Sequence, residues 1–147
     1  MIEPSYGIDR MIYAVLEHRY AEETVKDEER RVLRLPPRIA PIQVAVFPLM
    51  NRDGLPGIAL DIVNALKARG IMAEFDDSGA IGRRYRRQDE IGTPFAVTVD
   101  YETPETGTVT LRDRDSMDQV RVPTTTLPDL IRALVEGSMT FESLPPA

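Results

Sequence analysis

Apolar side chains near the start of the chain recur at the spacing of an amphipathic helix. The apolar positions are Ile8, Met11, Ile12, Val15, Leu16 and Tyr20. They share one face of a helix that is predicted to run from residue 8 to about residue 22. Ser5 is placed to cap this helix, because its side-chain oxygen can accept a hydrogen bond from a free N–H of the first turn.

A near-continuous apolar run from Ile42 to Leu49 predicts a strand that is buried on both faces. A helical pattern follows over residues 54–70, and a second strand over residues 71–77. This strand-helix-strand order predicts a parallel pair joined by a right-handed crossover. A second helix over residues 78–92 and a third buried strand over residues 94–101 continue the alternation.

The pattern changes in the last third of the chain. Residues 107–115 and 118–124 alternate apolar and polar positions, as antiparallel strands with one exposed face do. We expect these strands to extend one edge of the sheet, and residues 126–137 to form a third helix. The sequence therefore predicts an α/β domain with a mixed five-stranded sheet and three helices.

The segment between the first helix and the first strand of the sheet is rich in charge and then interrupted by three prolines. Proline ends helices, so this composition is typical of a linker. We place a domain boundary near Ala40. The predicted organisation is a strand-helix segment over residues 1–23, a linker over residues 24–41 and the α/β domain over residues 42–147.

Composition narrows the chemistry that the chain can carry out. With no Cys and one His, His18, disulfides, thiolate metal sites and Cys-His or Ser-His nucleophiles are excluded, and no metal site is predicted. Carboxylates, arginines and hydroxyls remain. The net charge of -6 argues against wholesale non-specific binding to nucleic acid but allows a local basic patch. Since neither a membrane-spanning run nor a signal peptide is visible, we expect a cytoplasmic protein without a membrane partner.

The stretch EPSYGIDR concentrates polar groups where an extended segment turns into the first helix. Glu3 can pair with an ammonium group, Ser5 can hydrogen-bond the same group, and Arg10 can hold an anion such as phosphate. Gly7 lets a ligand or another backbone approach closely. The alternative is purely structural: Pro4 and Ser5 end a strand and cap a helix, and Arg10 is solvated.

A second polar stretch, GRRYRRQDE, lies near the start of the second helix of the sheet domain. Its arginines are Arg83, Arg84, Arg86 and Arg87. Four guanidiniums spread over most of a helix circumference, so at least two face solvent together and form a local anion site. Arginines around an aromatic residue, here Tyr85, suit single-stranded RNA. The alternative is a solvated helix face on which Arg86 pairs with Glu90.

Asp76 and Asp77 follow the second strand and resemble a pair of catalytic carboxylates. They also precede Ser78, which is placed to cap the next helix, and Asp is favoured in such turns for local hydrogen bonding. We therefore interpret both aspartates as turn residues, and His18 as a surface residue.

Four stretches, in chain order, resemble one known family. EPSYGIDRMIYAVLEH is similar to motif 3 of class II aminoacyl-tRNA synthetases, in the form typical of the archaeal and eukaryotic glycyl-tRNA synthetases. LRLPPRIAPIQVAVFPL, GAIGRRYRRQDEIGTPFAVTVDYE and TVTLRDRDSMDQVRV resemble the C-terminal anticodon-binding domain of that family. The resemblance covers nearly the whole chain. It implies the class IIa anticodon-binding fold over residues 42–147.

The resemblance also assigns roles to the first residues. Glu3 and Ser5 would contact the glycine substrate, and Arg10 would hold the ATP phosphates. Residues 1–23 would then be a remnant of a catalytic domain whose motifs 1 and 2 have no counterpart here. ATP and Mg would belong to the parent enzyme, a ligase of translation, and this chain is expected to be inactive alone. The catalytic domain is an expected partner, and self-association through residues 1–23 is a further expectation.

For the sheet domain, the resemblance implies recognition of the anticodon of glycine tRNA. Glycine tRNAs share cytosines at the second and third anticodon positions, which are read on unstacked bases. We expect Arg83, Arg84 and Arg87 to contact phosphates or bases, and Tyr85 either to stack on a base or to pack. The alternative function is a stand-alone α/β interaction or accessory module that has lost tRNA binding.

Overall fold

A computed structural model describes residues 2–25 and 27–145 of the chain. The predicted segments 1–23, 24–41 and 42–147 therefore include a few positions, namely 1, 26 and 146–147, that lie outside the described residues. The helices are α1 (Ile8–Arg19), α2 (Leu55–Ala68), α3 (Ile81–Ile91), α4 (Thr103–Thr106) and α5 (Leu127–Glu136), followed by a 3-10 turn (Phe141–Ser143). The strands are β1 (Tyr20–Val25), β2 (Glu28–Leu33), β3 (Val44–Pro48), β4 (Ala73–Phe75), β5 (Phe95–Val99), β6 (Thr108–Asp113) and β7 (Gln119–Pro123).

The five-stranded sheet has the order β4-β3-β5-β6-β7. Strand β3 lies between β4 and β5 and is parallel to both, with Val46 opposite Phe75 on one side and Val97 on the other. Strands β6 and β7 continue the sheet in antiparallel register. The predicted mixed five-stranded sheet is confirmed. The short helix α4 was not predicted, because four residues are too few to show a helical period.

One face of the sheet carries the main hydrophobic core. The alternate residues Val44, Val46, Val97 and Val99 of the central strands point to this face and are buried. Helices α2 and α5 cover it with apolar side chains at helical spacing. Those side chains are Leu55, Ala59, Ile62, Val63 and Leu66 from α2, and Leu127, Ile131 and Leu134 from α5. Because β3 and β5 are covered on both faces, all five residues of each strand are buried, as their continuous apolar runs predicted.

The opposite face is covered by α3 over a smaller area. Ala45, Phe47 and Ala96 form a second apolar cluster, against which Ile81 and Tyr85 of α3 pack. Helix α3 begins at Ile81, with Ala80 as its N-cap and no capping side chain. The predicted capping role of Ser78 is therefore wrong.

The predicted linker over residues 24–41 is corrected by the structure. Strands β1 and β2 form an antiparallel hairpin in which Tyr20 lies opposite Leu33 and Val25 opposite Glu28. On β2, Arg30 and Val32 are fully buried. Buried and exposed positions therefore alternate along β2. Because one of the buried residues is an arginine, the sequence lacks the apolar-polar alternation that predicts a strand.

Glycine at the end of α3 allows the hairpin strand to approach closely. Gly92 has a φ of 89°, a conformation that favours glycine. A Cβ atom at this position would lie 2.9 Å from Cδ1 of Leu35 and 3.0 Å from the carbonyl oxygen of Leu33. A larger residue would therefore push the end of β2 away from the sheet domain.

A buried ion network fastens the hairpin to the sheet domain. The Nε of Arg30 donates to Oδ2 of Asp89 on α3 at 2.9 Å, and Nη1 of Arg112 on β6 donates to Oδ1 at 3.1 Å. Arg30 also pairs with Glu23 on β1 and donates to the carbonyl of Arg114 at 2.5 Å. Within the described residues, no buried side-chain nitrogen or oxygen lacks a hydrogen-bond partner. The network therefore meets the condition under which buried charge is tolerated.

The amphipathic helix α1 has no buried residue. Its apolar face, which includes Met11, Ile12, Val15 and Leu16, lines an apolar groove of about 400 Å³ together with the segment 35–41. The N-cap is Gly7, without a capping side chain, and the helix ends at Arg19, so Ser5 does not cap it and the predicted end near residue 22 is three residues too late. In the described part of the chain, no helix is long and apolar enough to cross a membrane.

We expect the Asp89→Asn variant to lower the free energy of unfolding by about 3 kcal/mol, because two buried guanidiniums lose the charge that pairs with them. Urea unfolding at neutral pH measures the effect. The matched control is Asp129→Asn, which removes an exposed pair with Arg69 and should cost less than about 1 kcal/mol. Equal losses in the two variants would contradict the structural role of Asp89.

Candidate nucleic-acid interface

The start of α3 faces an open groove of about 560 Å³. Helix α3 forms one wall, the turn end of the hairpin forms the second, and β6 and β7 close it from below. The lining residues are Val25, Glu28, Ala80, Gly82, Arg83, Tyr85, Arg86, Asp89, Arg112, Met117 and Gln119. The volume falls in the range of small-molecule and cofactor pockets, so the groove has room for an unstacked nucleotide.

Arg84 has a structural position that the sequence analysis did not anticipate. It is buried, and its guanidinium donates to the carbonyl of Pro48 at 2.6 Å, of Asp77 at 2.9 Å and of Gly79 at 2.7 Å. These carbonyls lie at the end of β3 and in the loop that leads into α3. Arg84 therefore joins this loop to the end of β3. The expected contact of Arg84 with phosphates or bases is corrected, because its donors face the protein.

Tyr85 packs against the sheet. Its ring meets Phe47 edge-on, with 5.3 Å between ring centroids, and the guanidinium of Arg112 lies 4.8 Å from its centroid. Its hydroxyl is 2.6 Å from Oγ1 of Thr98. Burial raises the pKa of Tyr85 in spite of the hydrogen bond with Thr98 and the charge of Arg112. Of the two roles that the sequence left open, the structure supports packing.

Arg87 does not belong to the lining of the groove, and its side chain is about half exposed. Its Nη2 donates to Oδ2 of Asp76 at 2.6 Å and to the carbonyl of Ser78 at 2.7 Å. Asp76 also accepts a hydrogen bond from the N–H of Ser78, which makes it a turn residue. Burial acts to raise the pKa of Asp76, but the hydrogen bonds from Arg87 and Ser78 and the charges of Arg87 and Arg84 outweigh it and hold the pKa below its ordinary value.

Arg83 and Arg86 point into the groove. Arg83 is exposed and makes no ion pair with any residue in the described ranges. Arg86 is 3.5 Å from Glu28 on the hairpin, measured from Nη2 to Oε2, so its observed partner is not the Glu90 that helical spacing suggested. Thus Arg83 presents a guanidinium that has no ion pair among the described residues, and Arg86 presents one that is paired across the groove.

The groove is locally basic on an acidic protein. Its lining includes three arginines and two carboxylates, which sum to one positive charge. One of these carboxylates, Asp89, is buried between Arg30 and Arg112 and does not face a ligand. A positive groove of this kind attracts phosphate despite the overall charge of -6.

Sequence reasoning missed several residues of the groove. Glu28 lies in the predicted linker, and Arg112 and Gln119 are opposite each other on neighbouring strands β6 and β7. The alternation of TVTLRD and QVRVP indicated which side chains share a face of the sheet. It did not indicate that α3 leaves this face partly uncovered.

The residues of EPSYGIDR lie apart from this groove's lining. Glu3 and Ser5 occupy an extended segment before α1, and Arg10 lies in its first turn. All three side chains are exposed. In the part of the chain that the structure describes, no group of three or more His, Cys, Asp or Glu side chains is arranged to hold a metal ion.

A comparison with known protein families identifies the family of the domain that contains α3. Residues 43–134 match the model of the anticodon binding domain family. The chain belongs to this family. The matched stretch contains α3 and all five strands of the large sheet. The hairpin, with Glu28 and Arg30, precedes it.

The chain is similar to glycine–tRNA ligases of archaea. The chain is 56% identical to the glycine–tRNA ligase of Methanothrix thermoacetophila over 141 residues. The aligned stretch covers 96% of this chain and 24% of that protein. It is 53% identical over 137 residues to the glycine–tRNA ligase of Archaeoglobus fulgidus, 93% of this chain and 24% of that protein. The glycine–tRNA ligase of Methanocaldococcus jannaschii is 54% identical over 132 residues. The chain spans about a quarter of the length of these relatives.

We expect the Asp76→Asn variant to be less stable than the wild type at pH 7 by about 1 kcal/mol, because the half-exposed Arg87 loses a charged partner. Since the folded-state pKa of Asp76 is lowered, its contribution is present above the ordinary value of 3.8 and is lost as pH falls through the folded-state pKa. Urea unfolding from pH 7 to pH 3 should show the difference shrinking with acid.

The neighbouring Asp77→Asn variant is the control for this pH series. The Asp77 carboxylate makes no ion pair within residues 2–25 and 27–145, and only its backbone carbonyl binds Arg84. We expect little change in stability at any pH in the series. A pH-independent loss in Asp76→Asn would show that its charge does not matter.

Proposed function

We propose that this chain is the tRNA-recognition part of a glycine–tRNA ligase and that it binds the anticodon region of a glycine tRNA. The observation that carries the proposal is the positive groove at the start of α3, which lies within an anticodon binding domain. The identity of 53–56% with archaeal glycine–tRNA ligases supports glycine as the amino acid. The activity is therefore a part of protein synthesis.

The groove suggests how RNA is held. Arg83 lines the groove, and Arg87 lies one helical turn further along α3. Both side chains are exposed and can bind phosphates through charge-assisted hydrogen bonds. Tyr85 and Arg112 form the inner wall, against which an unstacked base fits. Arg84 contributes by fixing the loop before α3, so that the site does not have to be ordered when RNA binds.

The alternative function, a stand-alone interaction or accessory module, is not favoured. Such a module would keep the fold without keeping the arginines at the start of α3. Here the similarity to ligases extends over 96% of the chain, which includes α1 and the hairpin as well as the sheet domain.

The first helix carries the second part of the proposal. We infer that Glu3 and Ser5 contact glycine and that Arg10 holds the ATP phosphates when the rest of the enzyme surrounds them. The exposed apolar face of α1 then packs on the catalytic domain, and in its absence on a second copy of this chain. In this proposal ATP and Mg belong to the parent enzyme. We propose a cytoplasmic location for this enzyme.

The isolated chain should give no glycine-dependent ATP–pyrophosphate exchange. Glu3, Ser5 and Arg10 are exposed, and the binding of two substrates in reactive alignment needs an enclosing pocket. Exchange above background by the purified chain would contradict the expectation that these residues need the rest of a catalytic domain around them. A glycine–tRNA ligase of full length serves as the positive control.

The chain should bind a glycine tRNA transcript with an affinity in the micromolar range or poorer, near -8 kcal/mol at best. The weakness follows from the acidic remainder of the protein. Replacing Arg83 or Arg87 by Ala should remove about one phosphate contact each and lower the slope of log affinity against log salt by roughly 0.7. Titrations of the wild type and the two variants over several salt concentrations measure both quantities.

An anticodon-swapped transcript and the Arg132→Ala variant are the controls for these titrations. Arg132 is an exposed arginine on α5, which covers the opposite face of the sheet, so its loss should leave the slope unchanged. If an arginine reads a base, its replacement lowers discrimination between the two transcripts while the slope changes little. Failure of the wild type to prefer the glycine tRNA would reject the proposed function.

A further inference from the structure

An ion pair spans the groove between its two walls. Nη2 of Arg86 on α3 is 3.5 Å from Oε2 of Glu28 on β2. The arginine side chain is one-third exposed and the glutamate about three-quarters exposed. Both side chains line the groove, and both also line a neighbouring hollow with Glu29, Arg31 and Glu90. A ligand that enters the groove therefore meets this pair.

Arg86 differs from its three neighbours in how firmly it is held. Arg84 is enclosed by carbonyl groups, and Arg87 makes two short contacts of 2.6 and 2.7 Å. Arg83 has no ionic partner among the described residues. Arg86 has one long contact with an exposed carboxylate, and exposed pairs of this kind are weak. A phosphate, which is a stronger partner for a guanidinium, can replace Glu28 at little cost.

Glu28 is held close to Arg86 by the buried network. Arg30, which is two residues after Glu28 on β2, is fully buried and pairs with Asp89. Asp89 in turn is only three residues after Arg86 on α3. The hairpin therefore keeps its carboxylate beside the groove whether or not a ligand is present. An incoming phosphate must compete with this fixed negative charge.

We propose that Arg86 is an additional phosphate-binding residue of the RNA groove and that Glu28 is its internal competitor. In the free protein Glu28 pairs with Arg86. In the complex an RNA phosphate replaces Glu28 as the partner of Arg86. The inference rests on the proposed function, since it names a further contact and a regulating residue of the same site. It also gives the hairpin, which precedes the family's matched residues, a part in RNA binding.

A double-mutant cycle on the full chain tests the competition, with binding of a glycine tRNA transcript as the readout. Glu28→Gln should tighten binding about two- to fivefold, the factor that corresponds to an exposed ion pair. Arg86→Gln should weaken binding and lower the salt slope by roughly 0.7. In the double variant the gain from Glu28→Gln should disappear, because no arginine is left to be released.

The Glu22→Gln variant is the matched control. Glu22 is an exposed carboxylate on the same hairpin, but it pairs with Arg31 and does not line the groove. Its replacement should change affinity by less than about 1.5-fold, as expected for a charge screened by salt. Equal urea midpoints for the four proteins of the cycle exclude loss of folding as the cause of any change.

Three results would overturn the proposal while the proposed function stands. The first is tighter binding of Glu28→Gln that persists in the Arg86→Gln background, which indicates a general field effect. The second is weaker binding of Glu28→Gln, which indicates that Glu28 itself contacts RNA. The third is an Arg86→Gln variant with wild-type affinity and slope. Absence of anticodon-dependent binding by the wild type would reject the proposed function and this inference together.

Discussion

The carboxylate of Asp89 joins three parts of the molecule. It is almost completely buried on α3 and pairs with Arg30 from the hairpin and Arg112 from the sheet. A lone carboxylate in this place would be costly, and so would either guanidinium without it. The three charges therefore stabilise the fold only together. Because α3, β2 and β6 are also the walls of the groove, the network that holds the fold also fixes the shape of the candidate RNA site.

Arginine serves two different purposes in this chain. Arg30, Arg84 and Arg114 turn inward and donate to backbone carbonyls, which suits a planar group with five donors. Arg83 and Arg86 stay at the groove with few or weak partners. The four arginines of GRRYRRQDE look equivalent in the sequence, but only part of their charge faces solvent. The number of arginines in this motif is therefore larger than the number of guanidinium groups that a ligand can contact.

Much of the fold followed from residue patterns. The runs in IQVAVFPL and PFAVTVDY identified strands covered on both faces, and the alternation in TVTLRD identified the antiparallel edge. These predictions succeeded because burial of apolar side chains has a simple period. The hairpin was missed because its inward positions include Arg30, whose burial depends on Asp89 some 59 residues later. Contacts between distant residues leave no local period in the sequence.

The candidate site was predictable only in part, for the same reason. The position of a basic cluster at the start of α3 came from local sequence, and so did its aromatic residue. Local sequence did not distinguish Arg84, which contacts the ends of other elements, from Arg83, which does not. The resemblance to a known family indicated the kind of ligand. It did not indicate that Glu28, from outside the matched domain, lies against Arg86.

The docking of the hairpin also determines how the protein can be divided experimentally. A fragment cut at the first residue of the family match would lose Arg30 and the carbonyl of Leu35, which binds Arg114. Asp89 would keep one cationic partner instead of two, and Arg114 would lose one of its buried acceptors. A fragment that keeps this network intact must therefore start no later than the hairpin, at Tyr20. The boundary of the family match therefore cuts through the buried network that joins the hairpin to the sheet domain.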